Sequence, residues 1–255
     1  KPFFVLITAN IIASGKDKNL KYSYFLSLIV LSGIIILLLN QPDVGQSILL
    51  ITTWVSLLFI SGIKIGYILL LFGLLFICSI SFLLIFPEKF GYIIQRLNTF
   101  FDPTKGDNFQ TDKALAAIKQ GGLKGQGMGE GILKESVPEA HTDFIFAILA
   151  ETLGFIGVVF FVTTCVVLVF RCVRIAMRAP NLFTVYLATG ITAMLAIPMV
   201  FNMAVATGLL PTKGLALPFT SYGGSHLLIS MVGVGILLRI HLESEGGRDL
   251  AEAKA

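Results

Sequence analysis

Tyr22-Ser23-Tyr24-Phe25-Leu26-Ser27-Leu28-Ile29-Val30-Leu31-Ser32-Gly33-Ile34-Ile35-Ile36-Leu37-Leu38-Leu39 carries no charge, and the uncharged run continues to Pro42. A helix needs about 20 such residues to cross a hydrocarbon core about 30 Å thick. Five more uncharged runs match it in kind: Val44 to Ile63, Ile65 to Pro87, Thr152 to Phe170, Ala179 to Thr212 and Gly214 to Leu238. Six membrane spans are expected. Pro2 to Gly15 is also uncharged but short, and the chain begins at Lys1, so it is expected to be the tail of a helix in a truncated chain. No small-residue cleavage site marks it as a signal peptide.

Composition agrees with this reading. Of 255 residues, 55% are hydrophobic and 13% charged, and the mean hydropathy is +0.87. That leaves too little polar surface to cover a soluble globule. The expected fold is all-α, a polytopic transmembrane helical bundle forming one membrane domain over residues 1–255. The net charge of +4 does not point to nucleic acid, because the basic residues cluster beside the spans. Cys78, Cys165 and Cys172 sit in or beside apolar runs at unrelated spacings, which suits buried thiols and gives neither a disulfide framework nor a metal-ligand set.

Positive residues in short loops mark the cytoplasmic side. Lys16, Lys18, Lys21, Lys64, Arg171, Arg174, Arg178 and Arg239 all fall on one side when the chain is threaded through alternate crossings. The C-terminal tail is then cytoplasmic. Three connections lie outside: Gln41-Pro42-Asp43, the segment Glu88 to Ala140, and the turn from Pro211 to Pro218. The middle one is a long loop with seven basic and seven acidic residues, so it does not oppose the orientation. Amphipathic starts at Phe90 to Leu97 and at Ala114 to Ile118, with a Phe100-Phe101-Asp102-Pro103 turn between them, predict a folded platform.

Four features there could carry chemistry. Gly121 to Gly131 has glycine at alternate positions from 125 onward; such a backbone can cradle phosphate or act as a hinge. Pro138-Glu139-Ala140-His141-Thr142-Asp143 meets the outer end of a span, where a carboxylate loses part of its hydration and becomes a better proton acceptor. Thr142 or Asp143 could equally cap a helix beginning at Phe144. Glu151 would lie two turns deeper, inside the membrane, where a carboxylate is costly. Pro211-Thr212-Lys213-Gly214-Leu215 to Ser221-Tyr222-Gly223-Gly224-Ser225 offers one outer cation, Lys213, which suits an anionic head group or could snorkel. Asp43, in the fourth, reads as an outer carboxylate or a helix cap.

In order and spacing these four segments resemble the shape, elongation, division and sporulation family (FtsW/RodA/SpoVE) over nearly the whole chain, and they look most like its division branch. Two departures are visible: Glu151-Thr152 where the family commonly has two glutamates, and Ser225-His226 where it commonly has two serines. The resemblance implies ten spans, about three of them absent here. It also implies a septal peptidoglycan glycosyltransferase that polymerises lipid II, with Asp143 as general base and Lys213 the candidate for the pyrophosphate. Lys124, Lys134, His141, Glu139, Asp43 and Ser221 are further substrate-binding candidates. Implied partners are lipid II, a class B penicillin-binding protein transpeptidase and other divisome membrane proteins, at the division septum of the inner membrane. A divalent cation would suit the pyrophosphate, but these residues neither require nor exclude one. A lipid II flippase and a non-catalytic divisome scaffold remain as alternatives.

Overall fold

The computed structural model describes residues 1–16, 19–41, 43–70, 73, 91, 109–127, 142–211 and 215–252, the last six by backbone alone. Seven helices are described: α1 Pro2–Gly15, α2 Leu20–Asn40, α3 Val44–Ile60, α4 Phe109–Gly121, α5 Ile145–Arg178, α6 Leu182–Ala206 and α7 Gly224–Glu252. No strand occurs among the described residues. The chain is an all-helical, polytopic membrane protein: α2, α5, α6 and the first 23 residues of α7 are each long and apolar enough to cross a bilayer, while α1 and α3 are apolar but shorter. Of the expected span from Ile65 to Pro87, helical backbone is described at 65–70 and 73. The rest of that span and most of the long loop, with its first amphipathic start and the Phe100 to Pro103 turn, lie outside the described residues.

The residues group into two compact units. One comprises Lys1–Gly62, Thr163–Met199 and Gly223–Ala255; the other comprises Ile63–Val162 and Val200–Tyr222. In the first, Val5 and Leu57 close over Gly190, where a Cβ would come within 2.4 Å of Val5 Cγ1. Trp54 Nε1 donates to Ser27 Oγ, which donates to the Tyr24 carbonyl, so a hydrogen bond joins α3 to α2 in the interior of the unit. Only 17% of the apolar window of α2 is buried. The outward display of Phe25, Ile36 and Leu37 is what lipid as solvent allows. Cys165 and Cys172 are buried free thiols, as expected; Cys78 lies outside the described residues.

Uncharged runs locate helices well but not their ends. The run to Thr212 overshoots α6, which stops at Ala206 in a Schellman turn: Leu209 N–H reaches the Ala204 carbonyl, Gly208 N–H reaches Val205, and Gly208 has φ +72°. The run ending at Leu238 undershoots α7, since charged residues continue a helix in water as readily as apolar ones do in lipid. Arg239 and Glu243 make an i,i+4 pair at 3.0 Å along that extension.

Candidate active site at the Asp143 turn

The second unit is built around α4. Asp112 in its first turn and Lys119 in its last complement the helix dipole, and Lys113 lies over the Phe109 ring at 5.4 Å. The expected amphipathic helix is therefore present, with Ala114, Ala117 and Gly121 forming its buried stripe. Ala114 and Ala117 pack with Phe144, with Phe146 and Ala147 of α5, and with Val205 and Ala206 of α6, while Gly121 lies against the Ala150 and Glu151 backbone.

Helix α5 is two helices joined at Gly154, whose φ of 66° and ψ of −167° are not helical. The Phe146 and Phe161 ring centroids are 6.4 Å apart. Fifteen residues of continuous helix would separate them by about 22 Å. The short arm, 145–153, therefore folds back toward the start of the long arm, 155–178. The long arm has the length of a span, and it displays Phe155, Ile156, Phe160, Val166 and Met177. The expected span from Thr152 to Phe170 corresponds to this arm. Glu151 does not lie on it: this fully buried residue belongs to the short arm beside the vertex, because the Gly154 break redirects the chain just after it.

The first half of the glycine run fills that vertex. Gln126 and Gly127 N–H groups donate to the carbonyls of Glu151 and Thr152, while Phe155 and Ile156 N–H groups donate to Gly122 and Leu123. The broken helix thus recovers hydrogen bonds from the loop. A Cβ on Gly125 would lie 2.2 Å from the Thr152 oxygen, and one on Gly154 would lie 2.3 Å from Gly125 N. The glycines permit backbone to touch backbone. With Gly125 N–H donating to Gly121 as well, these three amides are committed to protein and do not form a phosphate cradle; 128–131 lie outside the described residues. Lys124 is exposed on this loop.

Asp143 is half-buried, in a turn that precedes the short arm. The residue adjoining the helix is Phe144, 1% exposed, whose carbonyl accepts from Ala147 and Ile148 N–H. The helix thus begins at Ile145, one residue later than expected. The side chains of Ser221 and Asn202 hold the turn. Ser221 Oγ donates to the Thr142 carbonyl at 2.7 Å. Asn202 Nδ2 donates to the Asp143 carbonyl at 3.0 Å and to the Leu215 carbonyl at 3.1 Å.

Ser221 also locks its own segment, accepting from Leu217 N–H at 2.8 Å while its N–H returns to the Leu217 carbonyl. Inside that turn Phe219 has φ +64°, a strained conformation for a bulky residue. The Ser221 hydroxyl therefore has its proton and one lone pair engaged in holding protein. Asn202, 2% exposed, is a site residue that the sequence reading did not select; an amide in an apolar span is the signal that would have found it.

The structure thus brings Asp143, Ser221 and the segment following Lys213 together. Lys213, Lys134, Glu139 and His141 themselves lie outside the described residues. Asp43 is the N-cap of α3, its carboxylate accepting from Gln46 N–H at 3.0 Å. Asp43→Ala is expected to cost about 1 kcal/mol of stability, and Asp43→Asn to retain most of the cap; thermal unfolding in detergent measures both, and equal losses would contradict the capping role. Among the described residues no group of three or more His, Cys, Asp or Glu is placed to hold a metal.

The profile of the FtsW/RodA/SpoVE family, described as cell cycle protein, matches residues 1–246. The probable peptidoglycan glycosyltransferase FtsW of Geobacter sp. strain M18 is 41% identical over 235 residues, covering 91% of this chain and 63% of that protein. That of Coxiella burnetii is 40% identical over 223 residues, covering 85% and 58%. Stage V sporulation protein E of Bacillus subtilis is 37% identical over 232 residues, covering 89% and 63%. The chain thus spans about three-fifths of the length of these relatives.

Among solved structures, a chain from a peptidoglycan synthase complex that coordinates polymerization and crosslinking superposes with TM-score 0.74 at 26% identity, covering 94% of this chain and 68% of that one. The rod shape determining protein RodA of Thermus thermophilus gives TM-score 0.65 at 27% identity, covering 96% and 64%. By sequence profile, by relatives near 40% identity and by fold, the chain belongs to the FtsW/RodA/SpoVE family.

Proposed function

We propose that the protein is a peptidoglycan glycosyltransferase that polymerises lipid II at the outer face of the cytoplasmic membrane during septal wall synthesis. The observation that carries this reading is the Asp143 turn, clamped by Asn202 and Ser221 to the chain that follows Lys213. A carboxylate-bearing turn is held against the 215–217 segment, and a fixed carboxylate is what the attacking hydroxyl of a lipid-linked sugar would need. The names of the FtsW relatives and the synthase complex support the same chemistry.

In this mechanism the 4-hydroxyl of the acceptor disaccharide attacks C1 of the donor. Asp143 takes the hydroxyl proton as the new β-1,4 bond forms and the C1–oxygen bond to pyrophosphate breaks. Lys213 is assigned to the departing undecaprenyl pyrophosphate, whose negative charge grows in the transition state; Lys124, Lys134, His141 and Glu139 are candidates for the rest of the head group. The basic short loops support an outer active face and a cytoplasmic C-terminus. A class B penicillin-binding protein is the proposed transpeptidase partner, alongside other divisome membrane proteins at the septum.

The test is polymerisation of labelled lipid II by the full-length protein and its transpeptidase partner in liposomes, with translocation of lipid II followed in parallel. Glycan strands are the expected product; translocation without strands would establish a flippase, and neither would leave a scaffold. In the same assay Lys213→Ala is expected to lower the rate by roughly 10- to 100-fold through lost charge stabilisation, and an unchanged rate would reduce Lys213 to an interface anchor.

A further inference from the structure

We infer that Asn202 and Ser221 are positioning residues for the glycosyl transfer, acting through the backbone of Thr142 and Asp143; the inference rests on Asp143 being the general base. Two successive peptide carbonyls, those of Thr142 and Asp143, each receive one side-chain donor, from partners 79 and 59 residues away in sequence. Each donor residue also makes a second bond to the 215–217 segment: Asn202 to the Leu215 carbonyl and Ser221 to the Leu217 amide. The two residues are therefore cross-ties. They fix the base turn against the 215–217 segment, so that the proton acceptor keeps one position relative to that chain.

The chemistry of Asn202 supports a role beyond packing. Both Nδ2 hydrogens are used on carbonyls, and this sets the amide orientation, since Oδ1 facing either carbonyl would be repelled. Oδ1 itself is buried without a partner. A buried acceptor left unpaired is unfavourable, so the residue is explained by its two donors and by little else. Ser221 in turn fixes a segment that holds Phe219 at positive φ, and strain of that kind persists where the surroundings over-determine a geometry.

The experiment compares Asn202→Leu, Ser221→Ala and Ser221→Thr in the full-length protein with its transpeptidase partner, with and without Asp143→Ala. Lipid II polymerisation is measured in liposomes, and amide hydrogen exchange is followed over residues 142–148. Asn202→Leu and Ser221→Ala are expected to lower kcat by roughly 100-fold, with KM changed by less than about 3-fold, because a base displaced by about 1 Å loses that much. Ser221→Thr keeps the hydroxyl and is expected to stay within about 5-fold of the parent rate. Exchange over 145–148 should rise in the two slow variants, and neither should lose more activity once Asp143 is Ala.

An unchanged kcat overturns the inference. So does a rise in KM alone, which would mean contact with substrate, or a loss that follows the folded fraction and is not restored by Ser221→Thr. A further loss on the Asp143→Ala background would also overturn it, by showing that the ties serve some other group. Full activity of Asp143→Ala alone would instead remove the general-base reading on which the inference rests.

Discussion

On the proposed mechanism, Asp143→Asn is expected to lower lipid II polymerisation by roughly 10²- to 10⁴-fold, the range set by removing a positioned proton acceptor. The amide keeps the size of the carboxylate and accepts hydrogen bonds, yet it cannot take the proton of an attacking hydroxyl. The Thr142 and Asp143 carbonyls keep their ties to Ser221 and Asn202 in this variant. Asp143→Ala should lose about as much, because both variants lack the base and the residual rate comes from binding and charge stabilisation. Initial rates on labelled lipid II, with binding measured separately, provide the check. Full activity in both variants would remove Asp143 from the mechanism, and a rate that falls only because binding weakens would make it a substrate contact.

The largest loss of stability is expected at the Gly154 vertex. Gly125→Ala and Gly154→Ala each place a methyl within 2.3 Å of backbone atoms at positions with φ of +81° and +66°. Neither backbone can yield without breaking the bonds from Gln126, Gly127, Phe155 and Ile156 that close the vertex. Each substitution should cost on the order of 3 kcal/mol or more, combining overpacking with an unfavourable backbone conformation. Gly122→Ala is the control, since its φ is +52° but nothing stands within 4 Å of the added methyl; only the conformational cost of about 1–2 kcal/mol remains. Unfolding in detergent micelles should rank the three accordingly. Equal losses would mean that backbone approach at the vertex contributes nothing.

Spans were legible in the sequence because membrane hydrocarbon rejects charge, which leaves the uncharged runs of α2 and α3 bracketed by Lys21, Asp43 and Lys64. Asp43 as a helix cap was legible for a similar local reason, since the acceptor and the amide it serves are three residues apart. The fold-back of α5 was not. Glycines in an apolar run, here Gly154 and Gly157, are compatible with a straight helix, and what bends this one is a docking loop about 30 residues earlier in the chain. The same distance hid the use of the glycine run, whose alternation reads equally as phosphate cradle, hinge or close backbone approach until its partner is known. Asp143 was found through its motif, whereas Asn202 and Ser221 acquire meaning only through bonds to carbonyls 59 and 79 residues away.

The fold-back of α5 bears on how the proposed reaction would meet a lipid substrate. Because the short arm turns back toward the lipid-facing arm, the Asp143 carbonyl lies against Asn202, one helical turn inside the end of α6. On the proposed mechanism, the base then works in the plane of the membrane surface instead of projecting into the aqueous space above it. The encounter becomes two-dimensional: turnover would follow the mole fraction of substrate among the surrounding lipids, and adding inert lipid would slow the enzyme even with the total amount of substrate held fixed.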